Sequence, residues 1–257
     1  MLGLRLAHSY IAWWIPVDAR EAVFVLLMAG GMLIGHAWTF HLVDRRGWSF
    51  VGLGREALRP DVIRPAVLLG ALAITVPCAI LLAVGWLRFA PSESGSSLGA
   101  GVVTLAVLVP AALWEELFVR GYAFSVVRER MGPNPTIALT SLVFALMHLL
   151  NAGASARVFA IVFLAGIFLG LLREATRSLY AAWAAHLAWN AVLVVFLHAP
   201  VSGLMMAAPD YRVTDTGPDW ATGGTWGPEG GLFAAIGLVA AIWYLFQRAI
   251  RPAEPNA

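Results

Sequence analysis

Lysine is absent from this sequence of 257 residues, and cysteine occurs once, at Cys78. A single cysteine excludes a disulfide within the chain and a zinc site built on several thiolates. Charged residues make up only 12% of the sequence and the formal net charge is +2. With so little basic excess, we expect no nucleic-acid partner.

Apolar residues, in contrast, account for 60% of the sequence and give a mean hydropathy of +0.77. A transmembrane helix needs roughly 20 apolar residues. Seven segments approach this length, at about 21–41, 65–87, 99–119, 135–150, 157–172, 178–199 and 231–247. We therefore predict an all-α, polytopic transmembrane helical bundle of about seven spans with an N-terminal interfacial helix, forming one integral-membrane domain over residues 1–257.

Arginines are distributed unevenly between the two sides of these predicted spans. Eleven lie on the side that holds the C-terminus and five on the other, while Arg120 falls within a span. Because cytoplasmic loops carry the excess of basic residues, we predict a cytoplasmic C-terminus and an N-terminus outside. The exclusive use of arginine over lysine is typical of a GC-rich genome, so we expect a bacterial cell membrane.

The longest loop, residues 200–230, faces outward in this arrangement. Its many glycines and prolines exclude a long helix. Two interpretations stay open, a cap over the bundle and an inert connection.

The stretch WEELFVRG, residues 114–121, places three ionisable groups inside the third predicted span. Charges within a bilayer are unfavourable, so they indicate an internal partner or a function. Glu116 and Arg120 are four residues apart and share a helix face, where they can neutralise each other. Glu115 is turned by about 100° from that face and can serve as a general base. The alternative is an ion-pair cluster that only holds helices together.

Two later apolar segments also carry polar side chains. FALMHLL contains His148, and HLAWN places His186 and Asn190 on one helix face. A lone histidine in a span is usually a hydrogen-bonded structural residue. Three polar clusters in three helices instead favour one cavity, in which Glu115 and these side chains activate water and stabilise an oxyanion.

The segments EELFVR, FALMH and HLAWN fit the motifs EExxxR, FxxxH and HxxxN, in that order. In these motifs the sequence resembles the CPBP family of intramembrane proteases (CAAX protease and bacteriocin-processing, also called Abi), which includes the CAAX prenyl endopeptidases. Each motif alone is weak, but the three together are specific and cover roughly residues 65–199.

The resemblance implies a hydrolase, an intramembrane endopeptidase with a cavity open toward the cytoplasm and the lipid. Its substrates would be membrane-associated or C-terminal peptides, and the lipid bilayer would be its other partner. Glu115 would deprotonate a water that His148 helps to hold, and His186 and Asn190 would bind the oxyanion. The supporting pair would be Glu116 with Arg120.

The cofactor stays open at this point. The family is described as metalloproteases, and a divalent ion such as zinc is conceivable with Glu115, His148 and His186 as ligands. The sequence contains no HExxH motif, however, and asparagine is a poor zinc ligand. A metal-free glutamate mechanism fits these residue types equally well.

The predicted boundaries raise one difficulty, because they put Glu115 near the cytoplasmic face and His148 nearer the outer face. Either residues 121–134 extend the helices beyond the bilayer, or the boundaries near residues 151–157 are wrong.

Two other functions use the same polar residues. A transporter or proton-coupled carrier would relay protons through the intramembrane acids and histidines. A membrane scaffold or immunity protein would need no catalysis. The absence of an evident inverted repeat argues against transport, and the complete set of motifs argues against a scaffold.

Overall fold

Nine α-helices dominate the part of the chain that the structure, a computed structural model, describes, namely residues 20–92, 97–206 and 210–250. They are α1 Arg20–Trp38, α2 Pro60–Ala83, α3 Ser97–Arg120, α4 Tyr122–Met131, α5 Pro133–Met147, α6 Ala156–Thr176, α7 Leu179–Ala191, α8 Asp219–Thr222 and α9 Leu232–Ile250. Wider helical turns extend α1 over Thr39–Val43 and α7 over Val192–Phe196. The predicted N-terminal interfacial helix lies outside the described residues.

Five helical segments are long and apolar enough to cross a membrane: Ala22–Val43, Pro60–Ala83, Gly101–Met131, Ala156–Thr176 and Leu179–Phe196. Two shorter apolar helices, Pro133–Met147 and Leu232–Gln247, occupy the positions of the fourth and seventh predicted spans. Large apolar side chains on the outer faces are exposed, among them Leu26, Leu72 and Ile236. Such a surface suits contact with lipid. The all-α polytopic bundle is confirmed, and the protein is an integral membrane protein.

Several helix starts follow from the local sequence. Pro60 and Pro133 begin α2 and α5, where the absent N–H of proline leaves no helical hydrogen bond unmade. Ser155 and Ser178 precede α6 and α7, and each accepts a hydrogen bond from the backbone N–H three residues on. These signals fix where the helices that carry the polar residues enter the bundle.

Helix α7, which carries two of the candidate residues, packs closely against α2. A Cβ added at Gly70 of α2 would lie 2.3 Å from the carbonyl oxygen of Ala185 in α7. Helices α5 and α6 approach in the same way, since a Cβ at Gly166 would lie 2.8 Å from Ser141. Small residues at these crossings let the backbones approach closely enough to converge on one site.

Helix α3 continues into α4 with a bend at Gly121, so that one helical segment of 31 residues runs over Gly101–Met131. At the helical rise per residue this segment is about 46 Å long and exceeds the hydrocarbon thickness of about 30 Å. Its path is therefore long enough for α4 to lie beyond the bilayer before α5 begins at Pro133. This length is compatible with the first explanation of the boundary difficulty.

A two-stranded antiparallel sheet is the part of the fold that an all-helical prediction misses. Strand β1, Leu87–Pro91, pairs with β2, Tyr211–Asp215, with Leu87 opposite Asp215. The sheet fastens the chain after α2 to the long connection between α7 and α9. We call the described residues of that connection, 200–206 and 210–230, the cap. No long helix forms in them, as predicted, since α8 has four residues.

Candidate active site

Glu116 and Arg120 form an ion pair in the interior of the bundle, one helical turn apart on α3. Arg120 Nη1 donates to Glu116 Oε1 at 2.9 Å, and both side chains are fully buried. The guanidinium also donates to the carbonyl oxygen of Gly166 in α6 at 3.2 Å and lies over the Phe144 ring of α5, 4.4 Å from its centroid. The pair thus contacts two further helices, in agreement with the predicted pairing on one helix face.

His186 connects this pair to α7. Its Nδ1 lies 3.0 Å from Glu116 Oε1, and its Nε2 lies 3.9 Å from Glu115 Oε2. A carboxylate only accepts hydrogen bonds, so Nδ1 carries the hydrogen that Glu116 accepts. The ring is thereby oriented so that Nε2 faces Glu115.

The two adjacent glutamates differ in access. The side chain of Glu116 is 0% exposed, whereas that of Glu115 is 21% exposed. Helix geometry explains the difference, because neighbouring side chains diverge by about 100°. Glu115 is therefore the more accessible of the two carboxylates.

A cavity of about 50 Å³, partly open to the surroundings, lies beside this network and is lined by His148, His186 and Asn190. Its other walls are mainly apolar side chains of α6, α7 and α9, including Val162, Phe168, Trp189 and Leu238. An apolar pocket with a few convergent polar groups is the usual form of a ligand site. Glu115 does not line the pocket itself, and His186 connects the two parts of the site.

His148 is held by its own helix. Its Nδ1 lies 2.8 Å from the carbonyl oxygen of Phe144, which fixes the hydrogen on Nδ1 and leaves Nε2 available. The Phe144 ring lies 4.7 Å from the His148 ring and 6.0 Å from the His186 ring, measured between centroids. The phenylalanine of the FxxxH segment therefore packs against both imidazoles as well as Arg120.

The donor set does not fit a metal centre. Within residues 20–92, 97–206 and 210–250, no three histidine, cysteine, aspartate or glutamate side chains are grouped to hold a metal ion. Of the predicted ligands, Glu115 and His186 lie near each other, with 3.9 Å between Glu115 Oε2 and His186 Nε2. The pocket adds the amide of Asn190, which is a poor zinc ligand.

The segment that carries this site is similar to a known protein family. Residues 97–192 match the family described as type II CAAX prenyl endopeptidase, Rce1-like. The family resemblance is confirmed. The matched segment contains all three motifs, from Glu115 to Asn190, and this similarity supports a membrane protease. No match was found among curated proteins or solved structures.

Cap residues also reach the pocket of the Rce1-like region, although they lie outside the matched segment. Ser202, Trp226 and Glu229 line it together with the two histidines. A cap was one of two interpretations of this connection, and none of these three residues was a predicted site residue. The only sequence signal for these residues was the composition of the loop, in which acidic and aromatic residues occur among the glycines.

His36 is a further residue whose contacts the sequence did not reveal. It lies near the end of α1, outside the Rce1-like match, and is buried. Its Nδ1 lies 2.7 Å from the carbonyl oxygen of Met32, and its Nε2 accepts a hydrogen bond from the backbone N–H of Tyr122 at 3.1 Å. It therefore satisfies the first N–H of α4, two residues after Arg120, and connects the first span to the EExxxR segment.

Proposed function

We propose that this protein is an intramembrane endopeptidase that hydrolyses peptide bonds of membrane-associated or C-terminal peptide substrates. The observation that carries the proposal is that the two adjacent glutamates differ in burial and in their contacts. Glu116 is buried and holds Arg120 and His186, while Glu115 is accessible and faces the same imidazole. Such an arrangement keeps a basic carboxylate beside a positioned imidazole.

In the proposed reaction Glu115 takes a proton from water, which His148 helps to hold through Nε2. The resulting hydroxide attacks the scissile carbonyl carbon and forms a tetrahedral intermediate. Collapse of the intermediate breaks the C–N bond, and the proton passes from Glu115 to the leaving amine. Protons balance over the cycle, and the glutamate returns to its ionised form.

The developing oxyanion is assigned to His186 and Asn190, one helical turn apart on α7. Because Nδ1–H of His186 is engaged by Glu116, a hydrogen bond to the oxyanion must come from Nε2–H of an imidazolium. Ionised Glu115, Glu116 and Arg120 together carry one negative charge, which an imidazolium neutralises. Asn190 Nδ2 supplies a second, uncharged donor.

The proposal includes the setting in the cell. The protein lies in a bacterial cell membrane as a single domain, with its C-terminus in the cytoplasm and its N-terminus outside. The cap then covers the outer end of the pocket, and peptide substrates enter from the cytoplasm or the lipid. The excess of arginine on one side of the spans supports this orientation.

The experiment is cleavage of a quenched fluorescent peptide library by the purified protein and by its Glu115→Gln variant in detergent. We expect the substitution to abolish cleavage while the unfolding temperature stays unchanged. The matched control is Glu129→Gln, which changes an exposed glutamate of α4 and leaves cleavage intact. Equal cleavage by wild type and Glu115→Gln would contradict the mechanism. If no library peptide is cleaved, the alternative function as a transporter is tested by measuring proton flux in proteoliposomes.

A further inference from the structure

Another cavity, separate from the candidate active site, lies at the end of the first span. It has a volume of about 500 Å³ and is open to the surroundings on one side. Three basic and two aromatic side chains contribute to its lining, which consists of Ala37, Phe40, His41, Arg45, Arg46, Gly47 and Trp48. None of the acidic residues that the structure describes belongs to this lining. We call this cavity the basic pocket.

Contacts with α4 hold one wall of the basic pocket in place. Arg46 Nη1 donates to Glu129 Oε1 at 2.6 Å, and Arg46 Nε donates to Asp44 Oδ1 at 3.2 Å. Tyr122 of α4 donates through its hydroxyl to Asp44 Oδ2 at 2.9 Å. Arg46 is thereby fixed in the wall, and these two acids balance its charge.

His41 and Arg45 are the basic residues of the pocket whose side chains are unoccupied. Both residues are exposed, and neither side chain has a hydrogen-bond or ion-pair partner among the described residues. Arg45 also has a φ of 48°, in the left-handed region that favours glycine over residues with a side chain. Backbone strain of this kind is found where ligands are held. An arginine at such a position, with free donors facing a cavity, indicates an anionic ligand.

An exposed apolar stripe on α1 runs along the helix to the basic pocket. Leu27, Ile34, Trp38 and Leu42 follow one another at spacings of seven or four residues, so they lie on one face of the helix. Their exposed fractions are 56%, 61%, 67% and 74%. On a helix that spans the membrane, such a face contacts acyl chains, and Trp38 suits the level of the headgroups. The pocket and the stripe together match a ligand with an anionic end and hydrocarbon chains.

We propose that the basic pocket binds the headgroup phosphate of an anionic phospholipid, whose acyl chains lie along the apolar stripe of α1. Arg45 and His41 donate hydrogen bonds to the phosphate oxygens, and Arg46 forms the fixed wall. A zwitterionic headgroup fits less well, because its ammonium group would lie among basic side chains. The pocket is on the arginine-rich side of the spans, where anionic lipids are attracted. This inference does not depend on the proposed peptidase function.

The test measures lipid binding to the purified full chain after delipidation in detergent. Native mass spectrometry gives the Kd of the first bound lipid, for dioleoyl phosphatidylglycerol and for dioleoyl phosphatidylcholine, which have the same acyl chains. We expect phosphatidylglycerol to bind at least about fivefold more tightly. Arg45→Gln should raise its Kd about fivefold, because one arginine near the phosphate is lost. Arg45→Lys keeps the charge and should stay within about twofold of the wild type.

The matched control is Arg64→Gln. Arg64 is an exposed arginine of α2 on the same side of the spans, and it does not line the basic pocket. Its replacement removes the same charge and should leave the Kd of phosphatidylglycerol unchanged. Equal losses of affinity in Arg45→Gln and Arg64→Gln would reduce the effect to general surface charge and overturn the proposal. Equal Kd values of the wild type for the two lipids would overturn it as well.

Two further measurements separate a lipid site from a structural role and from a site for soluble phosphate compounds. Arg45→Gly relieves the left-handed backbone, so we expect an unfolding temperature no lower than that of the wild type, together with the weaker lipid binding of Arg45→Gln. A fall in unfolding temperature with an unchanged Kd would make Arg45 a structural residue. Glycerol 3-phosphate offers the phosphate without the chains and should not displace phosphatidylglycerol at a hundredfold excess. Displacement would overturn the lipid proposal and assign the pocket to a soluble phosphate ester.

Discussion

His186 and Glu116, seventy residues apart in the chain, are joined by a hydrogen bond of 3.0 Å between Nδ1 and Oε1 that crosses from α7 to α3. The same Oε1 accepts from Arg120. One buried carboxylate thus orients an imidazole and neutralises a guanidinium. The other glutamate of the motif, Glu115, takes no part in this pairing and is partly exposed.

The first prediction concerns the contribution of the buried Glu116–Arg120 pair to the stability of the protein. Glu116→Ala leaves Arg120 fully buried without its counter-charge, so we expect a loss of about 3–5 kcal/mol in the free energy of unfolding. Denaturant unfolding of the detergent-solubilised protein measures it. The control, Glu129→Ala, removes an exposed ion pair with Arg46 and should change stability little.

A double variant tests whether the loss arises from the uncompensated charge. Replacing Glu116 by Leu and Arg120 by Met together removes both charges and restores apolar volume. We expect it to be more stable than Glu116→Ala alone. If Glu116→Ala proves no more destabilising than Glu129→Ala, the pair has no structural role.

The second prediction concerns the oxyanion. Asn190→Ala should lower kcat about 10²- to 10³-fold, because it removes a donor that acts chiefly in the transition state. KM should change little. Steady-state kinetics with the best-cleaved library peptide provide the measurement, and Asn134→Ala, at the exposed start of α5, is the control. A raised KM with an unchanged kcat would instead place Asn190 in ground-state binding.

Much of the fold could be predicted because its signals are local. Span lengths follow from apolar runs, and the Glu116–Arg120 pair follows from a spacing of four residues within one helix. Both depend on helix geometry alone, which a sequence reveals without knowledge of neighbouring helices. The motif residues could be named for the same reason.

The remaining features depend on how distant segments pack. The contact of His186 with Glu116 and the position of His36 beneath α4 depend on helix crossings that hydrophobic periodicity does not encode. Strand β1 has only five residues and pairs with a partner more than one hundred residues away. Trp226 and Glu229 lie in a connection rich in glycine, where backbone geometry and not side-chain pattern determines the path.

The third prediction tests the crossing that positions α7. Gly70→Ala places a methyl group 2.3 Å from the carbonyl oxygen of Ala185, the residue before His186. The backbones must separate, so we expect a loss of about 1–3 kcal/mol in stability together with reduced activity. Gly35→Ala is the control, since no atom lies within 4 Å of its added Cβ. It should be neutral or stabilising by up to about 1 kcal/mol, because alanine favours the helix. Similar behaviour of the two variants would contradict the close approach of α2 and α7.

The fourth prediction is that peptidase activity does not depend on a divalent metal. No group of three metal-binding side chains forms within the described part of the chain. Activity should therefore survive EDTA and 1,10-phenanthroline, and mass spectrometry should find no stoichiometric zinc. A zinc protease assayed in parallel confirms that the chelators act in the detergent used. Inactivation that added Zn²⁺ reverses would contradict the glutamate mechanism and make Glu115, His148 and His186 the first ligands to test by substitution.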